Sequence, residues 1–519
     1  MIIAYAIILS NSCSANNQIT VDCTKSIGEV NKYIFGNNVL AHDPAFSSKE
    51  PWAKNFHGYR EYGAGLWNPV RMEPVSNVMQ LGKEAGISIM RFPGGCGSHG
   101  YEWKKAVKKG RNSFKFGLYE FCGVCHDLNA DAVITLSYFK DTPQDAADLV
   151  AFLNAPLDQN TDNKLTAPKN TFSWPGLRAE NGHPGSFQVK YFEIGNEVWH
   201  GDHIRTKEVK PEAYARRYLQ YYDAMKAVDP SIQIGVVLDT DQWNKKIIPI
   251  IKNKVDFGIL HSYPAPGYGK ELESIPVDKL FLMCLGMPAV ITEPHYQKTL
   301  KLLKQYAKRD IPLAITEFNG GFFMRSSIPY QFTLGNALIN AELLRIFMKP
   351  ENNILMANNW NFINEHWGMI YNGFQNEADK LRNRYHKRPN YYVFELYHNH
   401  FGEFLLNADV KSDTYQERGY TVDYITVNAS MNKEQNKVYL MILNKNLKNK
   451  MSSEIILKGF ENISSAEAWI LNGPDYLSLN ENNPDTVSVK SVNLMNAVKN
   501  GSLAVELEPH SLTAVEISK

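Results

Sequence analysis

VKYFEIGNEVWHGD, residues 189–202, is the stretch on which the fold turns. Its first six residues form a short run rich in β-branched and aromatic side chains, closed by Gly195 and a polar tip, Asn196-Glu197. A run this short, ended by a glycine, reads as a buried strand. The same pattern recurs in YIFGNNV (33–39), ISIMRFP (87–93), DAVITLSY (131–138), IQIGVVLD (232–239), VDFGILHSY (255–263), PLAITEFNG (312–320) and ILMANNWNFI (354–363). Helical patterns such as TPQDAADLVAFLN (142–154), PEAYARRYLQYYDAMKAVD (211–229) and TLGNALINAELLRIFMKP (333–350) lie between the runs. Strands alternating with helices argue for parallel βα units. Eight such strands are the number that closes a TIM barrel, with an open doubly wound sheet as the alternative. The runs end in polar tips: Arg91, Asn196-Glu197, His261 with Tyr263, Glu317 with Asn319, and Asn358 to Asn361. In a barrel these tips share one mouth, where active sites are built.

Beyond residue 403 the pattern changes to period-two alternation: YTVDYITVNA, KVYLMILNK, SEIILKG, SAEAWILNG, VSVKSVNL, SLAVELEP and LTAVEISK. Broken by Asn, Gly, Pro and Ser, these segments predict an antiparallel β-sandwich. QITVDCT near the N-terminus is a strand without a place in the barrel and is expected to pair into that sandwich. The expected layout is an export segment or tail over 1–17, the pairing strand over 18–32, a (β/α)8 α/β barrel over 33–402 and a jelly-roll-like sandwich over 403–519.

The 519 residues are 44% hydrophobic and 21% charged, as in a soluble globular chain large enough for two domains. A formal net charge of +1 leaves no electrostatic footprint for nucleic acid. Nothing resembles a span of about 20 apolar residues, so no transmembrane helix is expected. The apolar Ile2–Leu9, followed by small polar residues and Cys13, suggests an exported chain (periplasmic, secreted or lipid-anchored at Cys13). It lacks a basic n-region, which leaves a cytoplasmic chain open.

Two motifs are set aside. Gly95-x-Gly97-x-x-Gly100 has dinucleotide-loop spacing, but no helix opens at its third glycine to face a phosphate. Cys122-Gly123-Val124-Cys125 has the CxxC form, yet its thiols fall on the apolar face of a helix with Leu118 and Phe121, and no second pair completes a zinc site.

The chemistry concentrates in Glu197 and Glu317, at the ends of the fourth and seventh runs. Two carboxylates facing each other across a barrel mouth suit glycoside hydrolysis, one as the acid and the other acting at the anomeric carbon. Glu293, in VITEPHYQ, has similar flanks but precedes a helical run and reads as a loop or helix-capping residue.

With these residues in view, the chain resembles the retaining glycoside hydrolases of the (β/α)8 superclan, and more closely the family 51 α-L-arabinofuranosidases. RFPGG (91–95), YEWKKAV (101–107), FGLYEFC (116–122), DAADLVAFLN (145–154), YFEIGNEVW (191–199) and HSYP (261–264) look like family segments in family order. AWILNGPDYLSLNENNPDTV (468–487) and LAVELEPHSLTAVEI (503–517) are similar to that family's C-terminal β-domain. The resemblance implies Glu197 as general acid/base, with a raised pKa, and Glu317 as nucleophile, with a low one. It further implies Asn196 on the sugar 2-hydroxyl, Arg91 and Tyr263 holding Glu317 ionised, and His261 supporting Tyr263 or the acid/base. The glycines of RFPGGCGSHG would then let the loop turn tightly below the sugar.

The chain departs from the family pattern in three places. Gly36-Asn37-Asn38-Val39-Leu40 lacks the usual glutamate, Cys96 stands where many members carry Asn, and Ala357-Asn358-Asn359-Trp360-Asn361 lacks the usual glutamine. Asn38, Cys96, Trp360 and Asn361 are therefore expected sugar contacts, and Trp103, Trp199, Trp360 and Trp367 candidate stacking surfaces. The expected activity is release of terminal α-L-arabinofuranosyl residues from plant polysaccharides or oligosaccharides, with no metal or organic cofactor, and the resemblance suggests a homo-oligomer. A β-xylosidase, β-galactofuranosidase or endo-glucanase on the same scaffold is the alternative, and a non-catalytic carbohydrate-binding barrel the reading from another class.

Overall fold

The computed structural model describes residues 17–40, 65–68, 71–108, 116–157, 173–201, 208–363, 367–371, 385–499 and 501–519. The expected export segment, Cys13 included, lies outside them except for Asn17. The described residues divide between two compact units: those of 30–399 with 471–489, and those of 17–29 with 400–470 and 490–519.

The first unit is a closed eight-stranded barrel. Its strands are β2 (Gly36–Leu40), β3 (Ile89–Gly94), β4 (Asp131–Leu136), β5 (Tyr191–Ile194), β6 (Gln233–Val237), β7 (Phe257–Ser262), β8 (Leu313–Phe318) and β9 (Ile354–Asn359). Each strand is followed by a principal helix: α1 (Ser76–Glu84), α2 (Leu118–Leu128), α3 (Pro143–Asn154), α4 (Pro211–Val228), α5 (Asp241–Ile251), α6 (Glu293–Ala307), α7 (Leu334–Phe347) and α8 (Pro389–Asn399), with further helices between them such as Val277–Met287 ahead of α6. Every resolved ladder is parallel, and β9 closes on β2 through Asn358 opposite Gly36. The barrel strands are buried along most of their length, as a sheet covered by helices requires. Helix α3 starts where the sequence predicts, with the Thr142 hydroxyl accepting from the Asp145 N–H at 3.1 Å and Asp145 returning the bond to Thr142.

The second unit is one ten-stranded sheet that opens with β1 (Asn17–Glu29), the strand QITVDCT belongs to. Its other strands are β10 (Phe404–Lys411), β11 (Ile425–Met431), β12 (Lys437–Asn444), β13 (Met451–Lys458), β14 (Ser465–Asn472), β15 (Ser488–Asn493), β16 (Val498–Lys499), β17 (Ser502–Leu507) and β18 (Ser511–Ser518). β1 runs antiparallel to β10 and parallel to β13, while β10–β11, β11–β12, β12–β18 and β13–β17 are antiparallel. Ile19, Val21, Val427, Leu440, Ile455, Val505 and Val515 meet in one core. Residues 471–489, which run from the end of β14 to the start of β15, group with the barrel unit, unlike the single block over 403–519 expected from the alternation.

Among the described residues no helix is long and apolar enough to cross a membrane. Cys122 and Cys125 are buried in α2, and burial pushes the Cys122 thiol up to about 12 and the Cys125 thiol well up too. These are unreactive core thiols.

Candidate active site

Arg91 organises the mouth of the barrel. It stands in β3 opposite Asn38 of β2, and its side chain is 1% exposed. A planar guanidinium can serve several acceptors at once, and this one serves four. Nε donates to Glu193 at 2.6 Å, Nη1 to Glu317 at 2.9 Å and to Asn38 at 3.0 Å, and Nη2 to Asn196 at 2.7 Å. One buried cation thus fixes both carboxylates and both amides.

Glu317 lies near the end of β8, opposite His261 of β7. Arg91 holds one of its oxygens, and the Tyr263 hydroxyl donates to the other at 2.8 Å. Burial pushes the Tyr263 phenol well up, so it stays a donor. Glu197 follows β5 after a sharp turn. Gly195 takes φ +83°, where a Cβ would stand 2.7 Å from Val198, and Glu197 itself sits in the left-handed region at φ 40°. A non-glycine residue held there is strained, and such strain collects at functional sites. The short turn Val198–His200 then brings His200 Nε2 to 2.9 Å from one Glu197 oxygen, while His261 Nδ1 lies 2.7 Å from the other.

One oxygen of Glu197, one of Glu317 and a ring nitrogen of His261 all lie within 4.8 Å of one another. His261 Nδ1 is also 3.5 Å from Glu317. Three such atoms could ligate a cation, but His261 already occupies a Glu197 oxygen, and Arg91 and Tyr263 occupy both oxygens of Glu317. A cation would have to compete with these donors.

The charges are distributed otherwise than the sequence implied. Burial pushes the Glu197 carboxyl up, but hydrogen bonds from His200 and His261 outweigh it and hold Glu197 below the ordinary carboxylate range. Burial raises Glu317, and the negative charge of Glu197 adds to it against the pull of His261 and Arg91. Burial pulls His261 down, yet the charge of Glu317 and the bond to Glu197 hold it above the ordinary histidine value. The expected order, Glu197 raised and Glu317 low, is therefore reversed in the free site. The cause is the contact between Glu197 and His261, which favours the carboxylate and the protonated ring together.

The other expected contacts divide. Asn196 is 1% exposed, bonded to Arg91 and 3.6 Å from Cys96 Sγ. The charges of Glu197 and Glu317 both act on Cys96, whose thiol burial pushes well up, so Cys96 borders the pair as an unreactive thiol. Trp360 lies over the PGG loop: a Cβ on Gly95, at φ +61°, would come within 2.4 Å of its ring, and one on Gly94 within 3.1 Å. The glycines thus make room for an indole as well as for a turn, and Gly95–Gly100 form a 3-10 turn with no phosphate-facing helix. Asn319 Nδ2 holds the Trp360 carbonyl at 2.5 Å, with Asn336 and Asn340 donating to Asn319 Oδ1. Asn361 is 2% exposed and, among the described residues, neither atom of its amide has a partner, as suits a ligand contact. Asn38 is 1% exposed; its amide faces the Thr316, Asn358 and Asn359 carbonyls and its oxygen accepts from Arg91, so it ties the barrel seam together. Trp199 is half-buried, its ring 6.4 Å from that of His261, whereas Trp103 is core, against Phe152 and Trp174. Glu293 opens α6, bound to Lys349 and Asn352.

Sequence reasoning missed two members. Glu193 is fully buried, and the oxygen that meets Arg91 also accepts from Thr135 at 2.7 Å. A carboxylate inside the apolar run YFEI was the available signal. His200, three residues after Glu197 and so one tight turn away, is the other.

A closed (β/α)8 barrel carrying this pair of glutamates at its mouth is that of a glycoside hydrolase. Residues 83–267 match the family model "Alpha-L-arabinofuranosidase 1 domain" and residues 324–511 the model "Alpha-L-arabinofuranosidase C-terminal domain". The chain belongs to this α-L-arabinofuranosidase family, glycoside hydrolase family 51. An intracellular exo-alpha-(1->5)-L-arabinofuranosidase 1 of Bacillus subtilis (strain 168) is 22% identical, over 97% of this chain and 99% of its own length. An intracellular exo-alpha-L-arabinofuranosidase of Bacteroides ovatus is 23% identical, over 69% of this chain and 70% of its own. The fold is similar to the crystal structure of an alpha-L-arabinofuranosidase from Thermotoga maritima in its arabinose complex, with TM-score 0.76 and 20% identity over 97% of this chain and 100% of that one.

Proposed function

We propose that the protein releases terminal α-L-arabinofuranosyl residues from plant polysaccharides or oligosaccharides by double displacement, with Glu317 as nucleophile and Glu197 as general acid/base. The observation that carries the reading is the approach of the two carboxylates to within 4.8 Å. Retaining enzymes keep their carboxyls about 5–5.5 Å apart, whereas inverting ones leave about 6.5–9.5 Å for a water. In the first step Glu317 forms a bond to the anomeric carbon as the glycosidic C–O bond breaks. Glu197 protonates the leaving oxygen with the proton it shares with His261. In the second step Glu197 takes a proton from water, the water oxygen bonds to the anomeric carbon, and Glu317 leaves.

Arg91 and Tyr263 neutralise the charge that returns to Glu317 when it departs. Asn196 is assigned to the 2-hydroxyl, and Trp360, Asn361 and Cys96 to the remaining sugar face. Activity on a panel of nitrophenyl glycosides tests the reading. Release from the α-L-arabinofuranoside, abolished in Glu317→Ala and strongly reduced in Glu197→Ala, supports it. Release from the β-xyloside or β-galactofuranoside alone rejects the sugar, and unchanged turnover in both variants rejects the residues.

Export is a separate proposal, supported by the apolar Ile2–Leu9 run and by Cys13 as a lipid site. The names of the two relatives above, which call those proteins intracellular, support a cytoplasmic pool instead. Fractionation of the producing cell, with labelled fatty acid, decides between them.

A further inference from the structure

A cleft of about 420 Å³ lies on the outer wall of the barrel between α1 and α8, within the range of about 300–1,000 Å³ usual for small-molecule sites. Asn77 and Leu81 come from α1, Tyr385 and Lys387 from the segment ahead of α8, Tyr392 from α8 itself, and Asp485 from the stretch 471–489 that joins the barrel unit. Asn77 and Tyr392 stand in the first turns of their helices, and in a barrel those turns lie at the mouth end. The cleft is nonetheless separate from the catalytic pair. β2 and β9, which α1 and α8 follow, are neighbours in the ring, whereas β5, which Glu197 follows, stands across it. No lining residue comes from β5, β8 or the segments that carry Glu197 and Glu317.

The chemistry of the lining selects a neutral ligand. Lys387 is the cation of the cleft, and its charge is already matched: Nζ lies 2.7 Å from Glu395, 3.6 Å from Glu84 and 4.6 Å from the centre of the Tyr391 ring. An anion would find no spare positive charge there. The polar groups left over are uncharged donors. Among the described residues, neither the Tyr385 hydroxyl, the Tyr392 hydroxyl nor the Asn77 amide makes a hydrogen bond. Burial pushes both phenols up, Tyr392 to about 12, so both hydroxyls stay protonated. Both tyrosines are half-buried, while Asn77 and Asp485 are exposed at the rim. Aromatic rings with unpaired hydroxyls, next to an amide and a carboxylate, match a ligand with apolar C–H faces edged by hydroxyls. We infer that this cleft is an accessory binding site for a neutral polysaccharide chain, with Tyr385 and Tyr392 against sugar rings and Asn77 and Asp485 on sugar hydroxyls. A polymer anchored here stays on the enzyme while its side chains reach the mouth; a small glycoside gains nothing from it. The choice of arabinan as the polymer rests on the activity proposed above, whereas the neutral character of the ligand rests on the cleft.

The test has a binding arm and a kinetic arm. Affinity electrophoresis through gels holding soluble arabinan, galactan or xylan measures binding, with Glu317→Ala in every chain so that the polymer is not consumed. The kinetic arm, with Glu317 intact, takes the ratio of kcat/KM on arabinan to kcat/KM on 4-nitrophenyl α-L-arabinofuranoside. Arabinan affinity and this ratio should both fall about fivefold in Asn77→Ala and about tenfold in Asn77→Ala/Asp485→Ala, the size of one and two lost hydrogen bonds. Tyr385→Ala/Tyr392→Ala should lower both further. The Asn77 and Asp485 changes touch only exposed side chains, so they test the cleft even if the tyrosine variant misfolds. Affinity and ratio unchanged in Asn77→Ala/Asp485→Ala overturn the inference. So does a change of oligomeric state in that variant by sedimentation, which would make a second copy of the chain the occupant. Binding to galactan or xylan alone, lost in the same variants, upholds the cleft and refutes the substrate proposed above.

Discussion

Replacing Arg91 by lysine keeps the charge and removes the fork. The guanidinium reaches four acceptors, Glu193, Glu317, Asn38 and Asn196, at 2.6 to 3.0 Å. An ammonium has three donors set around a point, so at least one buried acceptor loses its partner. Glu193 and Glu317 have side chains 0% and 7% exposed, so water cannot take over. A bond to a charged group contributes about 1.5–3 kcal/mol, and a buried polar group left unpaired costs about 1–3 kcal/mol. Losing the hold on Glu317 together with one further acceptor therefore removes about 2.5–6 kcal/mol. Felt in the transition state, that corresponds to a fall of roughly 10²–10⁴ in kcat/KM. Glu317 is already pushed up by burial and by Glu197. With less cationic support it rises further, so the acidic limb of kcat/KM moves to higher pH. The assay is the pH profile of nitrophenyl α-L-arabinofuranoside hydrolysis, with urea unfolding to confirm that the variant folds. Kinetics within threefold of wild type, with an unmoved acidic limb, would show that the four-acceptor fork does not govern the nucleophile.

Three further outcomes follow from the same geometry. Tyr263→Phe removes the hydroxyl that donates to Glu317 and should lower kcat about 10- to 10²-fold with little change in KM, as steady-state kinetics would show. His261→Asn should move the basic limb of kcat/KM to lower pH, because Glu317 and Glu197 hold the His261 ring above the ordinary histidine value. The sign for stability is the same: a raised histidine stabilises the fold below its unfolded pKa of about 6.5 and loses that contribution as pH rises through the folded value, so the variant should flatten this slope in unfolding measured against pH. Gly95→Ala places a methyl group 2.4 Å from the Trp360 ring at φ +61°, and thermal or urea unfolding should report a loss of about 2–4 kcal/mol.

The barrel was legible because each strand repeats one pattern, an apolar run closed by a polar tip, and in a parallel sheet covered by helices that pattern has few other readings. Glu197 and Glu317 stood out for the same reason, as carboxylates at strand ends. What the sequence could not show was how the side chains near them are employed. Asn38 is an expected sugar contact because it falls where the family pattern changes, and only the fold shows that its amide bridges the seam between β2, β8 and β9. Glu193 was passed over because its position looked like ordinary strand interior, and only the closed barrel brings it against Arg91, 102 residues away in the chain. The reversed charge preferences of the two glutamates depend on His200 and His261 arriving at opposite oxygens of Glu197, a geometry set by one left-handed residue and one tight turn. The return of residues 471–489 to the barrel unit was hidden because their turn-rich sequence resembles any loop between strands.

The stereochemistry of the first product tests the central claim most directly. If the two carboxylates act in turn on one anomeric carbon, proton NMR during early turnover of an α-L-arabinofuranoside will show α-L-arabinofuranose first, with the β anomer appearing only through mutarotation. Initial appearance of the β anomer would mean that water attacks directly, and would contradict the double displacement assigned to Glu317 and Glu197.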